Sequence, residues 1–413
     1  MKKYLVGGAV RDKLLGLECK DRDWVVVGAT HEQMINEGYE AVGAHFGIYI
    51  HPFSKEEHAP AVDIKFTDKE YTQAEIIRTP DVTLLQDLKR RDFTINAIAY
   101  DEETDEYIDP CNGQRDLEEG ILRAVSSDAL WYDPCRVLRF ARFAARFPHF
   151  IMDFDTIDWC RNVVASGRLK QVAPERIWKE ISRGLMEEKP SAMFRALRMV
   201  NALEVIMPEL DALWGVPQVE KYHPEVDTGI HTMLVIDKVA EMGGDLDARY
   251  ASLCHDLGKA LTPKEKLPSH HGHEEAGLVP LRAMSKRMLV PSDTLMYAEA
   301  VCKNHTKMHT IENLRAATLT DLISELDVRR RKKMVDLMCI TSIADQRGRT
   351  GFEEAEYPQA DYFRAACKGY LEVNAGEAIK NSPPARLAED LRRARINGVK
   401  KGIRELRQAE LVD

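Results

Sequence analysis

The sequence predicts an α/β head domain followed by helical domains, and three observations support this fold class. Short β-branched or aromatic segments alternate with turn-forming segments up to about residue 125. From Asp133 onward the strand patterns stop, and apolar residues recur at helical spacing. With 413 residues, the chain is also too long for one hydrophobic core, and we expect about two to four domains.

The predicted elements follow in order along the chain. The strand patterns of the head are LVGGAV, WVVVG, GIYIHP, AVDIKF and NAIAYD. The helical patterns that follow are PCRVLRFARFAARF, RIWKEISRGLM and AMFRALRMVNALEVI, and prolines lie near their ends. A second all-helical unit begins near Tyr222. The predicted domains are a head at 1–125, a helical neck and body at 126–221, a second helical domain at 222–359 and a helical tail at 360–413.

The composition is typical of a soluble globular protein, with 44% hydrophobic and 30% charged residues. No run approaches the roughly twenty apolar residues of a membrane span, and the glycine-broken start is too short for a signal peptide, so we expect a cytoplasmic protein. The net charge of −9 argues against a protein that coats nucleic acid without discrimination. The eight cysteines form no CxxC pair and predict neither disulfides nor a zinc site.

Two aspartates in the run KDRDWVVVG are the strongest candidates for a metal site. Asp21 and Asp23 are two residues apart, so on a strand their carboxylates point to the same side. Two like charges on one face repel unless a cation bridges them. The preceding Gly7 and Gly8 allow the backbone to approach a triphosphate, and Arg11 supplies a positive charge. A lone aspartate pair is usually a solvated turn or a helix cap, but the glycines and the following strand favour a metal site.

Two further basic–acidic clusters are candidates for binding a nucleotide. In KRRDFTINAIAYD, Arg91 precedes an apolar segment that fixes its direction, and the arginine fork suits phosphate. In WYDPCRVLRFARF, Asp133 and Arg136 lie three apart on the first turn of a helix, where an acceptor and a donor can read a base edge. The alternatives are a surface ion pair at Arg91, and an N-cap with an intrahelical pair at Asp133. The alternative for the arginines along this helix is a solvated face, and for Arg146 we expect that alternative; the four are Arg136, Arg139, Arg142 and Arg146.

These motifs resemble those of the class II tRNA nucleotidyltransferases, the CCA-adding enzymes of the DNA polymerase β-like superfamily. They occur in the family's order and spacing over about 180 residues: YLVGGAVRD, KDRD, RRDFTINA, DPCNGQRDL, YDPCR and PERIWKE. The resemblance implies a nucleotidyltransferase head with helical neck and body domains. It also implies addition of C, C and A to the tRNA 3′ end from CTP and ATP without a template.

The resemblance further implies roles for single residues. Two Mg²⁺ ions are held by Asp21 and Asp23; one lowers the pKa of the primer 3′-hydroxyl and the other binds the triphosphate. The other roles are phosphate binding by Gly8 and Arg11, sugar–phosphate binding by Arg91, and base reading by Asp133 and Arg136 with Arg139 nearby. The chain departs from the family at Tyr132, where the base-reading motif usually begins with Glu. Asp63 in AVDIKFT is a candidate third carboxylate.

Most histidines fall in the second helical unit. His255 and Asp256 are adjacent, and two ligands of different type suit a transition metal whose other ligands come from elsewhere in the chain. The alternative for any one histidine is a hydrogen-bonded core residue. The order of the candidate ligands resembles that of the HD phosphohydrolase superfamily. The ligands are His231, His255, Asp256 and Asp345, with His273 and His305 in HHGHE and NHTK.

The segments KYHPEVDTGIHT, HDLGKALTP, HHGH and ADQRGRTGFE also resemble the γ-proteobacterial CCA-adding enzymes that carry an HD domain. That resemblance implies phosphatase, 2′-nucleotidase and 2′,3′-cyclic phosphodiesterase activities, with Ni²⁺ or another transition metal. It assigns metal binding to His231, His255, Asp256 and Asp345, and catalysis to His255, Asp256 and His305. The expected partners are tRNA, CTP and ATP, with no membrane, and the chain is a monomer or a homodimer.

Two other functions fit parts of the sequence. A bacterial poly(A) polymerase shares the head motifs, but it typically ends in a strongly basic tail rather than an HD domain. The second alternative is an HD phosphohydrolase whose head binds tRNA but is inactive. The intact set of Asp21, Asp23, Arg91, Asp133 and Arg136 argues against an inactive head.

Overall fold

The computed structural model describes residues 1–19, 21–42, 47–66 and 74–409. Lys20 of the KDRD motif and residues 410–413 of the predicted tail lie outside this described part. The chain divides into two compact units. The first comprises Met1–Val172 and Arg195–Val205, and the second comprises Ala173–Phe194 and Ile206–Asp413.

A seven-stranded mixed sheet is the framework of the first unit. The strands of the described residues are β1 (Lys2–Val6), β2 (Asp23–Val27), β3 (Glu40–Val42), β4 (Ile48–Ile50), β5 (Glu57–Pro60), β6 (Asp63–Phe66), β7 (Ala74–Ile77), β8 (Ala99–Asp101), β9 (Glu106–Ile108), β10 (Ile121–Leu122) and β11 (Ile151–Met152). The main sheet has the order β3-β4-β5-β2-β1-β8-β9. Its central strand β2 is antiparallel to β1 and parallel to β5.

Two short strand pairs lie outside the main sheet. β6 pairs with β7, and β10 pairs with β11. The strand predicted in AVDIKF therefore exists but belongs to a separate sheet. β11 is a strand that follows Asp133, where the sequence predicted helices alone.

The apolar run of β2 packs on both faces of the sheet, because successive side chains of a strand point to opposite sides. Val25 is buried in a cluster that includes Leu88, whereas Val26 is buried in another cluster that includes Met34 and Tyr49. Both faces are therefore covered. The strand is held firmly in the interior, while its first residue remains exposed.

Among the helices of the head and neck, the one at Cys135–Arg146 lies in a predicted helical pattern, whereas the predicted strand LVGGAV ends at Val6 and a helix begins at Gly8. These helices are α1 (Gly8–Leu14), α2 (His31–Asn36), α3 (Leu84–Lys89), α4 (Gly113–Glu119), α5 (Ser127–Tyr132), α6 (Cys135–Arg146) and α7 (Phe154–Ala165). Helix α6 is largely buried. Its Phe140 and Phe143 contact Phe93, with ring centroids 6.1 and 5.4 Å apart. These contacts anchor α6 against the segment that follows the RRD motif.

The rest of the described chain is helical. Its α-helices are α8 (Pro174–Leu185), α9 (Pro190–Met199), α10 (Leu203–Ile206), α11 (Pro208–Asp211), α12 (Thr228–Glu241), α13 (Leu246–Cys254), α14 (His273–Met288), α15 (Ser292–His309), α16 (Ala316–Glu325), α17 (Lys333–Arg347), α18 (Pro358–Leu371), α19 (Ala375–Ile379) and α20 (Leu387–Ala409). Asp227 and Asp245 fix the starts of α12 and α13 as N-caps. No described helix combines the length and the apolar character that crossing a membrane requires.

Glycines bring α18 and α20 of the tail into backbone contact. A Cβ on Gly369 would lie 2.1 Å from the carbonyl oxygen of Gly398, and one on Gly402 would lie 2.2 Å from that of Ala365. A side chain at either position would therefore push the two helices apart. The charged tail predicted from the sequence is thus a closely packed helical pair.

Candidate active sites

The main sheet brings the glycine pair beside the acidic pair. Val6, the last residue of β1, pairs with Asp23, the first residue of β2. The chain turns at Gly7, whose φ of 70° favours glycine. A Cβ on Gly7 would lie 3.2 Å from Nη1 of Arg91. The glycine turn, the acidic pair and the RRD motif therefore meet at one end of β2.

The two aspartates differ in their local structure. β2 begins at Asp23, so Asp21 lies just before the strand rather than on it, and both residues are exposed. Desolvation by the surrounding chain raises the pKa of Asp23, and the charge of Asp21 adds to this while Arg91 opposes it. Two accessible carboxylates this close together in the chain fit a hard cation such as Mg²⁺, which prefers oxygen ligands.

Asp87 orients Arg91 toward the glycine turn. The Asp87 side chain is fully buried, and its Oδ2 accepts hydrogen bonds from Nε and Nη2 of Arg91 at 3.1 and 2.9 Å. Its Oδ1 accepts a hydrogen bond from Arg90. Burial alone would raise the pKa of Asp87, but the charges of Arg91 and Arg90 outweigh it and lower the pKa below the usual value. This bidentate pair leaves Nη1 of Arg91 as the part of the fork that faces Gly7.

Arg11 lies beneath the glycine turn and is only 4% exposed. Its Nη1 donates to Oδ1 of Asn96 at 2.7 Å, and its Nε donates to Oδ1 of Asp12 at 2.9 Å. Its guanidinium also lies over the ring of Phe143, 5.2 Å from the centroid. Nη2 would be 3.4 Å from a Cβ on Gly8. Arg11 thus supports the backbone at Gly8, and a direct bond to a phosphate would require it to exchange these partners.

A buried chain of hydrogen bonds continues from Arg11 to α6. Asn96 donates from Nδ2 to Oδ1 of Asp92 at 3.0 Å, and Oδ2 of Asp92 pairs with Nη1 of Arg139 at 2.8 Å. Burial opposes ionisation of Asp92, but the charges of Arg139 and Arg136 outweigh it and lower the pKa of Asp92. Asn96 was missed by the sequence reasoning, although its spacing of four residues from Asp92 on a short turn is a usable signal.

The same network reaches the far end of α6. Nη2 of Arg146 lies 3.1 Å from Oδ2 of Asp12, whose other oxygen accepts from Arg11. The sequence predicted that Arg146 is a solvated residue; its side chain is 33% exposed, and α1 also presents a carboxylate to it. Both ends of α6 are therefore tied to the residues beneath the glycine turn.

The start of α6 is built from Asp133 and Arg136, but in different ways. Oδ1 of Asp133 accepts a hydrogen bond from the backbone N–H of Cys135 at 3.2 Å, which forms an Asx turn just before α6. Arg136 is buried, and its Nη1 donates to the carbonyl oxygens of Arg90 and Ala129 at 2.8 and 3.0 Å. Arg136 therefore joins α6 to the RRD motif and to α5. Of the predicted base-reading residues, Asp133 and Arg139 are the more accessible.

Asp63 and Tyr132 line a separate cavity of about 250 Å³. Oδ2 of Asp63 accepts a hydrogen bond from Nε2 of Gln86 at 2.9 Å. Asp63 lies on β6, whereas Asp23 lies on the main sheet, so the two carboxylates belong to different sheets. In this geometry Gln86 is the hydrogen-bond partner of Asp63.

The second unit contains a buried histidine site. His231 of α12, His255 directly after α13 and Asp345 of α17 form one group, with ligand atoms within 4.8 Å of one another. Nε2 of His231 lies 3.1 Å from Oδ1 of Asp345. Asp256 belongs instead to a group with His273 and His305, at 3.3 and 3.4 Å from their Nε2 atoms. The sequence analysis had assigned Asp256 to the same metal site as His231, His255 and Asp345.

Several residues that the sequence reasoning missed hold these ligands in place. Nδ1 of His231 lies 2.9 Å from Oε1 of Glu225. Oδ2 of Asp345 lies 2.6 Å from Nε2 of His309, whose Nδ1 is 3.0 Å from the hydroxyl of Tyr357. Burial opposes ionisation of Asp345, but His309 and Arg349 lower its pKa well below the usual value. Glu225 stands six residues before a predicted ligand, which is the only sequence signal for it.

The histidine site fits a transition metal. Imidazole nitrogens combined with carboxylate oxygens are ligands that such ions accept. Nε2 of His255 and Oδ1 of Asp256 are buried and make no hydrogen bond among the described residues, whereas Oδ2 of Asp256 lies 2.7 Å from Nζ of Lys259. Unsatisfied buried polar atoms are costly, and a bound cation would satisfy them.

Family models match three successive parts of the chain. Residues 3–123 match a model described as the poly A polymerase head domain. Residues 149–213 match one described as a probable RNA and SrmB-binding site of polymerase A. Residues 228–347 match the HD domain. The predicted fold class, an α/β nucleotidyltransferase head followed by helical and HD domains, is confirmed.

Similar proteins match nearly the whole chain. A multifunctional CCA protein of Hahella chejuensis (strain KCTC 2396) is 45% identical over 404 residues, which cover 97% of this chain and 95% of that protein. An apo CCA-adding enzyme has a TM-score of 0.66 at 20% identity, with 99% of this chain and 91% of that chain covered. The Thermotoga maritima CCA-adding enzyme complexed with tRNA has a TM-score of 0.64 at 20% identity, with 98% and 91% covered. This chain belongs to the family of multifunctional CCA proteins.

Proposed function

We propose that this chain adds the 3′-terminal CCA to tRNA, using CTP and ATP without a nucleic-acid template. The pairing of Val6 with Asp23 carries the proposal, because a phosphate-binding turn and a cation-binding pair must be adjacent for nucleotidyl transfer. Arg91, whose Nη1 faces Gly7, adds a fixed positive charge there. The name of the 45% identical relative, a multifunctional CCA protein, supports the same proposal.

In this proposal the chain's own residues bind and orient the substrates. Asp21 and Asp23 hold Mg²⁺, which when bound lowers the pKa of a hydroxyl nucleophile and neutralises phosphate charge. The turn at Gly8, supported by Arg11, accepts the triphosphate, and Arg91 binds its sugar–phosphate part. Base reading falls to a set at the start of α6: Asp133, Arg136 and Arg139.

The test is extension of a tRNA that lacks its 3′ end, with Mg²⁺, CTP and ATP supplied alone and together. We expect three nucleotides to be added, after which extension stops. Asp21→Ala with Asp23→Ala should abolish incorporation, whereas Asp155→Ala, at an exposed position of α7, should leave it unchanged. Unchanged incorporation in the double variant would refute the metal assignment. A long A tract would indicate a poly(A) polymerase, and no incorporation at all would indicate an inactive head.

We also propose that the HD domain hydrolyses phosphate esters, with phosphatase, 2′-nucleotidase and 2′,3′-cyclic phosphodiesterase activities. Nε2 of His255 and Oδ1 of Asp256, which are buried without a hydrogen bond among the described residues, support metal binding by this domain, and Ni²⁺ or another transition metal suits the mixed ligands. His231 and Asp345 complete the predicted ligands, and His305 is placed among the catalytic residues.

His255→Ala tests this second activity. We expect it to abolish phosphate release from a 2′,3′-cyclic end and to leave CCA addition intact. His271→Ala, at an exposed histidine on the same segment of chain, is the control. If His255→Ala removes both activities, the HD domain has a structural role instead.

The proposal also covers the protein's location, partners, oligomeric state and domain bounds. We place the protein in the cytoplasm with tRNA as its macromolecular partner and no membrane partner, and we propose that it is a monomer or a homodimer. The functional domains are proposed at 1–125, 126–221, 222–359 and 360–413. Sedimentation of the purified chain, with and without tRNA, distinguishes the two oligomeric states.

A further inference from the structure

The sheet fixes only one member of the acidic pair. Asp23 is the first residue of β2 and pairs with Val6 of β1, whereas Asp21 precedes the strand and is exposed. Two carboxylates share a cation best when both are already in place, because a ligand that is ordered only on binding costs conformational entropy. The backbone at Asp21 therefore depends on contacts outside the strand ladder.

Arg22, between the two aspartates, is paired with two glutamates. Its Nη2 lies 2.5 Å from Oε1 of Glu102, and its Nε lies 3.5 Å from Oε1 of Glu56. Glu56 precedes β5, the neighbour of β2 on one side. Glu102 follows β8, which lies beyond β1 on the other side. The guanidinium thus connects both sides of β2 to the segment that carries Asp21.

Trp24 contacts the same arginine. The guanidinium carbon of Arg22 lies 5.1 Å from the centroid of the Trp24 ring, which is a cation–π distance. Nε1 of Trp24 donates to Oε2 of Glu56 at 2.9 Å, and its ring stacks on His58 of β5 with centroids 5.5 Å apart. Arg22, Trp24 and Glu56 therefore form a network, whereas an isolated surface ion pair would contribute little.

This network lies on the face of β2 opposite to Asp23. Successive side chains of a strand point to opposite sides, so Trp24 points away from the face of Asp23. The Arg22 guanidinium lies over the Trp24 ring and hence on that same opposite side. Arg22 can therefore hold the backbone between the aspartates without entering the space in front of the Asp23 carboxylate.

We propose that Arg22 is a positioning residue of the head site: its pairs with Glu56 and Glu102 hold the backbone before β2 so that both aspartates are in place when a divalent cation binds. This inference rests on the proposed nucleotidyl transfer and concerns cation binding by the same site. A role through charge alone has the opposite consequence, because removing a positive charge near a cation strengthens its binding. The sign of the change in affinity on loss of Arg22 separates the two roles.

The experiment measures cation binding without catalysis. The full chain is stripped with a chelator and titrated with Mn²⁺, which accepts the same oxygen ligands as Mg²⁺, and free Mn²⁺ is followed by electron paramagnetic resonance. The head's share is the binding that is lost in Asp21→Ala with Asp23→Ala. We expect Arg22→Met to weaken this share by about 10-fold. Arg22→Lys should restore most of the affinity, because a lysine can still pair with Glu102.

The control for the loss of an arginine ion pair is Arg161→Met. Arg161 of α7 pairs with Asp158, and its side chain is 47% exposed, so its removal should leave Mn²⁺ binding unchanged. The Mg²⁺ concentration for half-maximal CMP incorporation should rise in Arg22→Met, while the rate at saturating Mg²⁺ changes little. A general loss of structure would lower that rate as well.

Glu102→Gln tests the same pair from a residue 80 positions away. It should weaken Mn²⁺ binding in the unaltered chain and add nothing in the Arg22→Met variant, because both changes break one contact. Equal effects in the two backgrounds would show that Glu102 acts on the ion through its charge, which contradicts a positioning role. Glu102→Gln leaves the acidic segment unaltered, so it tests the pair even if Arg22→Met fails to fold.

Equal or tighter Mn²⁺ binding by Arg22→Met, with the acidic pair still contributing its share, would overturn the inference alone. No loss of binding in the double aspartate variant would refute the metal assignment and this inference with it. If Arg22→Met weakens binding as expected but the unaltered chain adds no nucleotides to tRNA, the proposed CCA addition is wrong and the positioning role stands.

Discussion

Arg11 donates a 2.7 Å hydrogen bond from Nη1 to Oδ1 of Asn96, and both side chains are buried. This bond joins the helix after the glycine pair to the short turn after the RRD motif, 85 residues further along the chain. Asn96 also donates a hydrogen bond to Asp92, which in turn pairs with Arg139 of α6. The turn proposed to bind phosphate and the helix proposed to read the base therefore share one polar network.

Removing the middle of this network should affect stability and activity together. Asn96→Ala leaves Arg11 and Asp92 each without one buried partner, which should cost about 1–3 kcal/mol of unfolding free energy. We also expect slower incorporation of both CMP and AMP, since both nucleotides use the same turn. Urea unfolding and single-nucleotide incorporation measure the two effects. Asn162→Ala, at an exposed position of α7, is the control; an Asn96 variant that matches it would show that the network is dispensable.

Asp87 should make the head's stability depend on pH. Its pKa is lowered in the folded chain, so its contribution is complete above the unfolded value of roughly 3.9 and is lost as the pH falls through the folded value. Asp87→Asn should therefore cost about 3 kcal/mol near pH 7, with a smaller cost at lower pH. Urea titrations of both proteins at several pH values measure this difference. A cost that is constant down to pH 3 would contradict an ionised Asp87.

The sequence predicted the contents of the head site better than the roles of its members. β2 and the acidic pair could be identified because an apolar run after two aspartates is a local pattern. The burial of Arg11 could not, because it depends on Phe143 of α6, more than a hundred residues away. Similarly, the order of the histidines indicated a metal site, but the grouping of Asp256 with His273 and His305 depends on how α14 and α15 pack.

His309 should control metal affinity without being a predicted ligand. Its Nε2 lies 2.6 Å from Oδ2 of Asp345. Loss of such a partner weakens metal binding by roughly 10- to 100-fold. His309→Ala should show this loss in a Ni²⁺ titration of chelator-stripped protein against a competing dye. The exposed His149→Ala is the matched control. An unchanged affinity would mean that the helices alone orient Asp345.

The tail should not tolerate a methyl group at Gly402. A Cβ there would lie 2.2 Å from the carbonyl oxygen of Ala365, so Gly402→Ala must separate α18 from α20. We expect a loss of about 1–3 kcal/mol, with faster hydrogen exchange in both helices. At Gly376 in α19 the added Cβ would meet only Asn374 Oδ1, at 3.4 Å, so Gly376→Ala should change exchange little. Equal protection in the two variants would contradict close packing of the tail.

The ladder between β1 and β2 also bears on how the head can vary among related chains. Val6 and Asp23 are paired residues on adjacent strands, so the chain leaves the sheet and re-enters it at neighbouring positions. The length of the connection after α1 therefore does not set the distance between the glycine turn and Asp23. Insertions and deletions in that connection should be tolerated where they precede Asp21, whereas a one-residue slip of β2 would turn Asp23 to the opposite face.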